Sequence, residues 1–274
     1  KNTIPKSIIQ DFETSCTFIG YIIDEMSNSI DYPDFSLKTL DIEDGYTPEE
    51  IAQFTRKDFR IFNNEPIEDI FRIIEDKGII IYELNANEKF DGISLFTKKG
   101  FPVIVLNKRL PNDRKRFTLA HELGHLIMHT AFPVPNIRDK EQEANDFASE
   151  FLMPERAIRN SLEGLKLSSL SALKSYWLTS KASIIRRAYS LGVINQNKYK
   201  YFNIELSRIG EKKNEKGNVS IDKAITFDVA VKLHLKELEY TYDDLANAFA
   251  LPEDVIQRYV LKQNLFLKPK LTIN

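Results

Sequence analysis

The sequence predicts a mainly helical α+β fold, and three observations carry that reading. Strand-like runs are confined to residues 79–106. Helical spacing of apolar residues fills most of the chain on either side. No repeat or low-complexity tract interrupts the 274 residues.

The elements follow in order. Residues 6–30 form the first expected helix, because Ile8, Ile9, Phe12, Phe18, Ile19, Ile22 and Ile23 recur at helical spacing. Residues 31–46, with Pro33, Gly45 and scattered acids, read as a loop. Thr47-Pro48-Glu49-Glu50 starts the next helix: a hydroxyl cap, a proline in the first turn, then acids at the positive end of the dipole. A further helix is expected over 66–77, ending at Gly78. Ile79–Leu84, Gly92–Thr97 and Phe101–Leu106 are strand-like, the last two joined as a hairpin by Lys98-Lys99-Gly100. Helices are then expected near 112–130, 138–152, 154–163, 168–178, 180–191, 195–209, 220–238, 241–249 and 252–262. The polar run from Gly210 to Gly217 is the best candidate boundary. The expected organisation is a helical region over 1–62, a central domain over 63–210 and a small helical domain over 211–274.

Composition narrows the function classes. The net charge of -2, from 38 basic and 40 acidic side chains, gives no overall pull toward nucleic acid or an anionic membrane. The one cysteine, Cys16, excludes a disulfide within the chain and a cysteine-based zinc site, and fits a reducing cytoplasm. Residues 1–10 do not read as a secretory signal, and no apolar run approaches the ~20 residues that span a bilayer.

The chemistry concentrates in one place. Of four histidines, three lie within 121–129, in His121-Glu122-Leu123-Gly124-His125-Leu126-Ile127-Met128-His129. Residues four apart on a helix share a face, so His121 and His125 can converge on one metal ion. Glu122 then projects beside the metal, where it can deprotonate water. Burying unpaired histidines among apolar neighbours would be costly, and a metal removes that cost. Gly124 costs about 1 kcal/mol against alanine in mid-helix, which implies that another backbone or a ligand passes closely. A catalytic zinc needs a third protein ligand and one open position. The helix over 138–152 is the source, with Glu143 beside its apolar stripe of Ala144, Phe147, Ala148, Phe151 and Leu152; Glu141, Asp146 and Glu150 are the alternatives. The connection to it, with Pro133 and Pro135, lets the two helices pack side by side. His129, four residues past His125 and near the same face, reads first as a capping or surface histidine and second as a ligand. Asn145 and Asp146 are candidates to orient an imidazole, and His234 reads as structural. No oxyanion donor can be chosen; Arg116 and Tyr176 are candidates.

These motifs resemble those of the ImmA/IrrE family of metallopeptidases. The resemblance runs through Gly92-Ile93-Ser94, Pro102–Asn107, Arg116–His125, Glu143-Ala144-Asn145, Phe147-Ala148 and Phe151–Pro154, and covers roughly residues 63–210. It implies a minimal zincin-like domain, a small twisted sheet against active-site helices. It implies zinc held by His121, His125 and Glu143, with Glu122 as catalytic base. The implied activity is endopeptidase cleavage of a protein partner, such as a repressor of the helix-turn-helix XRE type that controls mobile-element, defence or stress genes. Residues 1–62 do not show the DNA-binding domain that many members carry at the N-terminus.

Residues 169–191 and 242–261 have helix-turn-helix core spacing. Asp243, Asp244, Glu253 and Asp254 would repel phosphates in the second; Lys181, Arg186 and Arg187 leave DNA contact open in the first, though partner docking is at least as well supported. The rival function is a non-proteolytic regulator using the same domain as a sensor. Glu122 argues against it, since a structural zinc needs no adjacent base.

Overall fold

A computed structural model describes residues 5–62, 64–130, 135, 137–212 and 215–261. It is mainly helical with a small three-stranded mixed sheet, the predicted α+β class. By contacts the chain forms two compact units. One comprises residues 1–32, 96–101 and 225–274; the other comprises 33–95 and 102–224.

The larger unit holds α2 (Pro48–Asp58), α3 (Ile70–Glu75), the sheet, and the helices from α4 to α9. Strands β1 (Ile80–Leu84), β2 (Gly92–Phe96) and β3 (Pro102–Asn107) lie in the order β1-β3-β2. β1 and β3 pair in parallel, with Ile80 opposite Val103 and Leu84 opposite Asn107. β3 is buried along its whole length, as a strand covered on both faces must be. Helix α4 (Asn112–His125) packs on β3 and on α5 (Lys140–Leu152), and α5 also packs on α2. The fully buried core residues Leu119, Leu123, Phe147, Phe151, Ile51 and Ala52 come from these three helices.

Local sequence explains most element ends. Thr47 and Glu50 form a capping box that starts α2, with Pro48 in its first turn. Helix α3 is shorter than expected. Asp69 gives it no side-chain cap. Instead the Asp222 carboxylate accepts from the backbone N–H of Phe71 (3.0 Å) and Arg72 (2.8 Å). That role explains why the helix expected over 220–238 starts only at Thr226: residues near Asp222 serve another helix's end. The polar run after Gly210 is pinned at both described ends. Glu211 pairs with Lys181, and Glu215 accepts from Lys174 and from the backbone N–H groups of Lys181 and Ala182. The remaining helices of this unit are α6 (Glu155–Leu162), α7 (Leu170–Trp177), α8 (Lys181–Ser190) and α9 (Gln196–Arg208).

The smaller unit is built from α1 (Lys6–Met26), α10 (Thr226–Lys232), α11 (Tyr242–Ala248) and α12 (Glu253–Tyr259), with the hairpin tip at 96–101. Ser15 hydrogen-bonds Tyr259 (3.0 Å), and the Tyr21 hydroxyl donates to the Phe249 carbonyl (2.8 Å). Lys99 donates to the Asp24 carbonyl (2.6 Å) and Asn28 (2.6 Å), placing a cation at the negative end of α1. Among the described residues, no helix is long and apolar enough to cross a membrane.

Gly124 shows why the helix pair needs glycine. A Cβ there would lie 2.9 Å from Cδ1 and 3.2 Å from Cγ of Phe147. Phe147 is fully buried and stacked on Phe151 at 5.6 Å, so it has little room to yield. Overpacking of this kind costs about 1–3 kcal/mol, against about 1 kcal/mol gained in helix propensity. Gly124→Ala is therefore expected to lower the melting temperature. A melting curve at or above wild type would show that Phe147 can move aside.

Candidate metal centre

Helix α4 delivers His121, Glu122 and His125 to one place, as the i, i+4 spacing dictates. Both histidines present Nε2 to the same point, 3.1 Å apart. From α5, Glu141 brings its carboxylate to 3.4 Å from each of the two Nε2 atoms. Among the described residues, His121, His125 and Glu141 form the group whose ligand atoms converge, all within 4.8 Å of one another. Ligands at about 2.0–2.1 Å from a tetrahedral ion stand about 3.3 Å apart, so this donor set fits zinc in both chemistry and spacing.

Glu143, expected from the resemblance to be a ligand, is engaged elsewhere. One of its oxygens lies 2.9 Å from His129 Nε2 and the other accepts from Arg138 Nε at 2.7 Å. The Pro133 part of the expected connection between the helices lies outside the described residues. Asp146 accepts from Gln142 (2.8 Å) and does not orient an imidazole, whereas Asn145 does. Its amide oxygen is 3.1 Å from His121 Nδ1, which puts the proton on Nδ1 and leaves Nε2 bare. Glu150 is buried away from the group, accepting from Gln53 and Arg187.

Glu122 is 7% exposed, and the Ser94 hydroxyl on β2 donates to it at 2.8 Å. Burial pushes its carboxyl above the usual range; the Ser94 bond and His121 pull it back in part. The approach of β2 is close. A Cβ on Gly92 would lie 2.9 Å from Thr118 Cγ2 and 3.1 Å from the Val105 carbonyl. For His125, burial and then the neighbouring His121 and His129 push the imidazole down to about 3, so it is neutral and free to ligate. Arg116 is fully buried, donating to the carbonyls of Ile67 and Glu68, and Tyr176 lies edge-on to Trp177.

The sequence reading left Ser94 without a role, read His129 first as a cap and gave Glu141 only as an alternative ligand. His129 is buried, not a surface cap. Glu141 carried a usable signal: it lies four residues before Asn145, so the two share a helix face.

Residues 74–189 match a family described as Peptidase M78, IrrE N-terminal-like domain. No curated protein matches the chain. A solved Mycobacterium tuberculosis transcriptional regulator is similar over 62% of this chain and 51% of that one, at 14% identity and a TM-score of 0.39. The chain thus spans about half the length of that regulator. The family match, the small sheet packed on the histidine helix and the order of the HELGH and EQEAN elements agree, and residues 74–189 of this chain are a domain of the ImmA/IrrE family.

Proposed function

We propose that this domain is a zinc-dependent endopeptidase. The observation that carries the proposal is the pairing of a converging His121–His125–Glu141 group with a separate buried carboxylate, Glu122, beside it. A site meant only for structure needs the first and not the second. When bound, zinc would supply Lewis-acid activation of water and of the scissile carbonyl. Glu122, steadied by Ser94, takes the proton from the attacking water and returns it to the leaving amine. Its raised pKa brings it nearer the working pH, where a base that must also act as an acid is most effective. β2 is an edge strand and carries Ser94, so an extended substrate segment can add to it by backbone hydrogen bonds. The substrate class that fits the family resemblance is a protein partner, with a repressor of the XRE type as first choice.

For the third ligand, the geometry favours Glu141 over Glu143. Glutamine replacements decide between them. Glu141→Gln is expected to lose zinc on desalting, while Glu143→Gln keeps it with an affinity reduced by about 10–100-fold, the usual effect of an outer partner. Loss of zinc only in Glu143→Gln would restore that carboxylate as the ligand. The activity itself is tested by co-expressing the full chain with candidate repressors of the XRE type. Intact repressor in the presence of zinc-loaded protein would leave a zinc-holding regulator instead of a peptidase.

A further inference from the structure

We propose that His129 is a positioning residue of this centre, fixing the tautomer and ring orientation of His125 from inside the protein. The inference rests on the metal-site reading above and extends it.

The side chain of His129 is 3% exposed. It sits in a π-helical turn, Leu126–Thr130, that follows α4 directly. In that turn the Thr130 hydroxyl donates to the His125 carbonyl at 2.9 Å. The wider turn keeps residue 129 almost in line with residue 125, and such turns recur at functional sites. The two rings stand 5.0 Å apart, with their Nδ1 atoms at 2.9 Å. Two imidazole nitrogens at that distance need one proton between them; two would clash and none would repel.

The far side decides which ring carries it. Glu143 only accepts, so His129 Nε2, 2.9 Å from it, is the donor. A neutral imidazole with its proton on Nε2 has a bare Nδ1. His125 must therefore carry its proton on Nδ1 and present a bare Nε2 toward His121 and Glu141. Arg138 anchors the far end, donating to Glu143 at 2.7 Å and to Glu43 at 2.7 Å. His121 reaches the same state through the Asn145 amide. The two ligand histidines are thus set by different devices, one a single amide and the other a buried imidazole backed by a carboxylate and a guanidinium.

Two substitutions separate positioning from space filling. The amide oxygen of asparagine occupies the place of an imidazole Nδ1, and that of glutamine the place of Nε2. His129→Asn keeps an acceptor for His125, whereas His129→Gln points its amide toward Glu143 and leaves His125 without one. In the metal-free full chain, labelled with 15N at histidine, long-range 1H–15N spectra report the tautomer of His125. The Nδ1–H form is expected in wild type and His129→Asn, and its loss in His129→Gln. Zinc affinity, measured by competition with a chromophoric chelator, should stay near wild type in His129→Asn and fall about 10–100-fold in His129→Gln. Equal affinities in the two variants, or a wild-type His125 protonated on Nε2, overturns the proposal. A wild-type chain that binds no zinc would refute the metal-site reading, while the tautomer spectra would still decide the role of His129.

Discussion

Glu122→Gln is expected to remove about 10²–10⁴-fold of peptidase activity while leaving zinc content and melting temperature close to wild type. The reasoning is local. Glutamine has the same shape and can still accept from Ser94, which now bonds the carboxylate at 2.8 Å. It cannot take a proton from water. Glu122 also lies outside the converging group of His121, His125 and Glu141, so metal retention should not depend on its charge. Cleavage of the co-expressed partner, followed by gel and intact mass, measures the first effect; metal analysis measures the second. A variant that cleaves at the wild-type rate would remove Glu122 from the chemistry. A variant that loses zinc would make it part of the metal shell.

The largest stability effect is expected far from the metal. Glu150, 1% exposed at the end of α5, and Arg187, 2% exposed on α8, form a buried ion pair. Further hydrogen bonds surround the pair. Glu150 also accepts from Gln53 at 2.9 Å and from the backbone N–H of Glu155, and Arg187 donates to the Met153 carbonyl at 3.1 Å. Helices α2, α5, α6 and α8 are tied at one point. Arg187→Met removes the cation and strands a carboxylate inside the protein. Breaking one side of such a pair costs about 3–5 kcal/mol, or a fall on the order of 10 °C in melting temperature. Adding Glu150→Gln removes the stranded charge and should recover part of the loss. If the single and double variants melt together, the buried charge is not the cause. The same arginine was read from sequence as a possible phosphate contact in a helix-turn-helix; its burial makes it a strut instead.

What the sequence made legible was periodic or local. The α2 start was readable because Thr47 and Glu50 satisfy each other within one turn. His121 and His125 were readable because four residues return a helix to the same face. Gly124 signalled a close neighbour, but that neighbour is the ring of Phe147 and not the backbone or ligand expected. The rest depended on packing between distant segments. Glu141 and Glu143 both flank the apolar stripe of α5, and only the rotation of that helix against α4 separates their roles. His129 looked like an end cap because the dipole favours a histidine in a helix's last turn; that its side chain is covered and held by Glu143 depends on packing with α5. Residues 220–225 carry helical spacing, yet Asp222 is held by α3, 150 residues earlier in the chain.

The smaller unit imposes an order of events on biosynthesis. Its hydrogen bonds join residues 228 and 244 positions apart, Tyr21 to Phe249 and Ser15 to Tyr259. Helix α1 is made before the larger unit, but its helical partners emerge from the ribosome after it. The larger unit, apart from the hairpin tip, is one continuous stretch from 33 to 224 and can fold while synthesis continues. During that interval α1, whose apolar face carries Ile19, Ile22 and Ile23, lacks the helices α10 to α12 of its own unit. A nascent chain halted before residue 245 should be more prone to aggregate than the finished one.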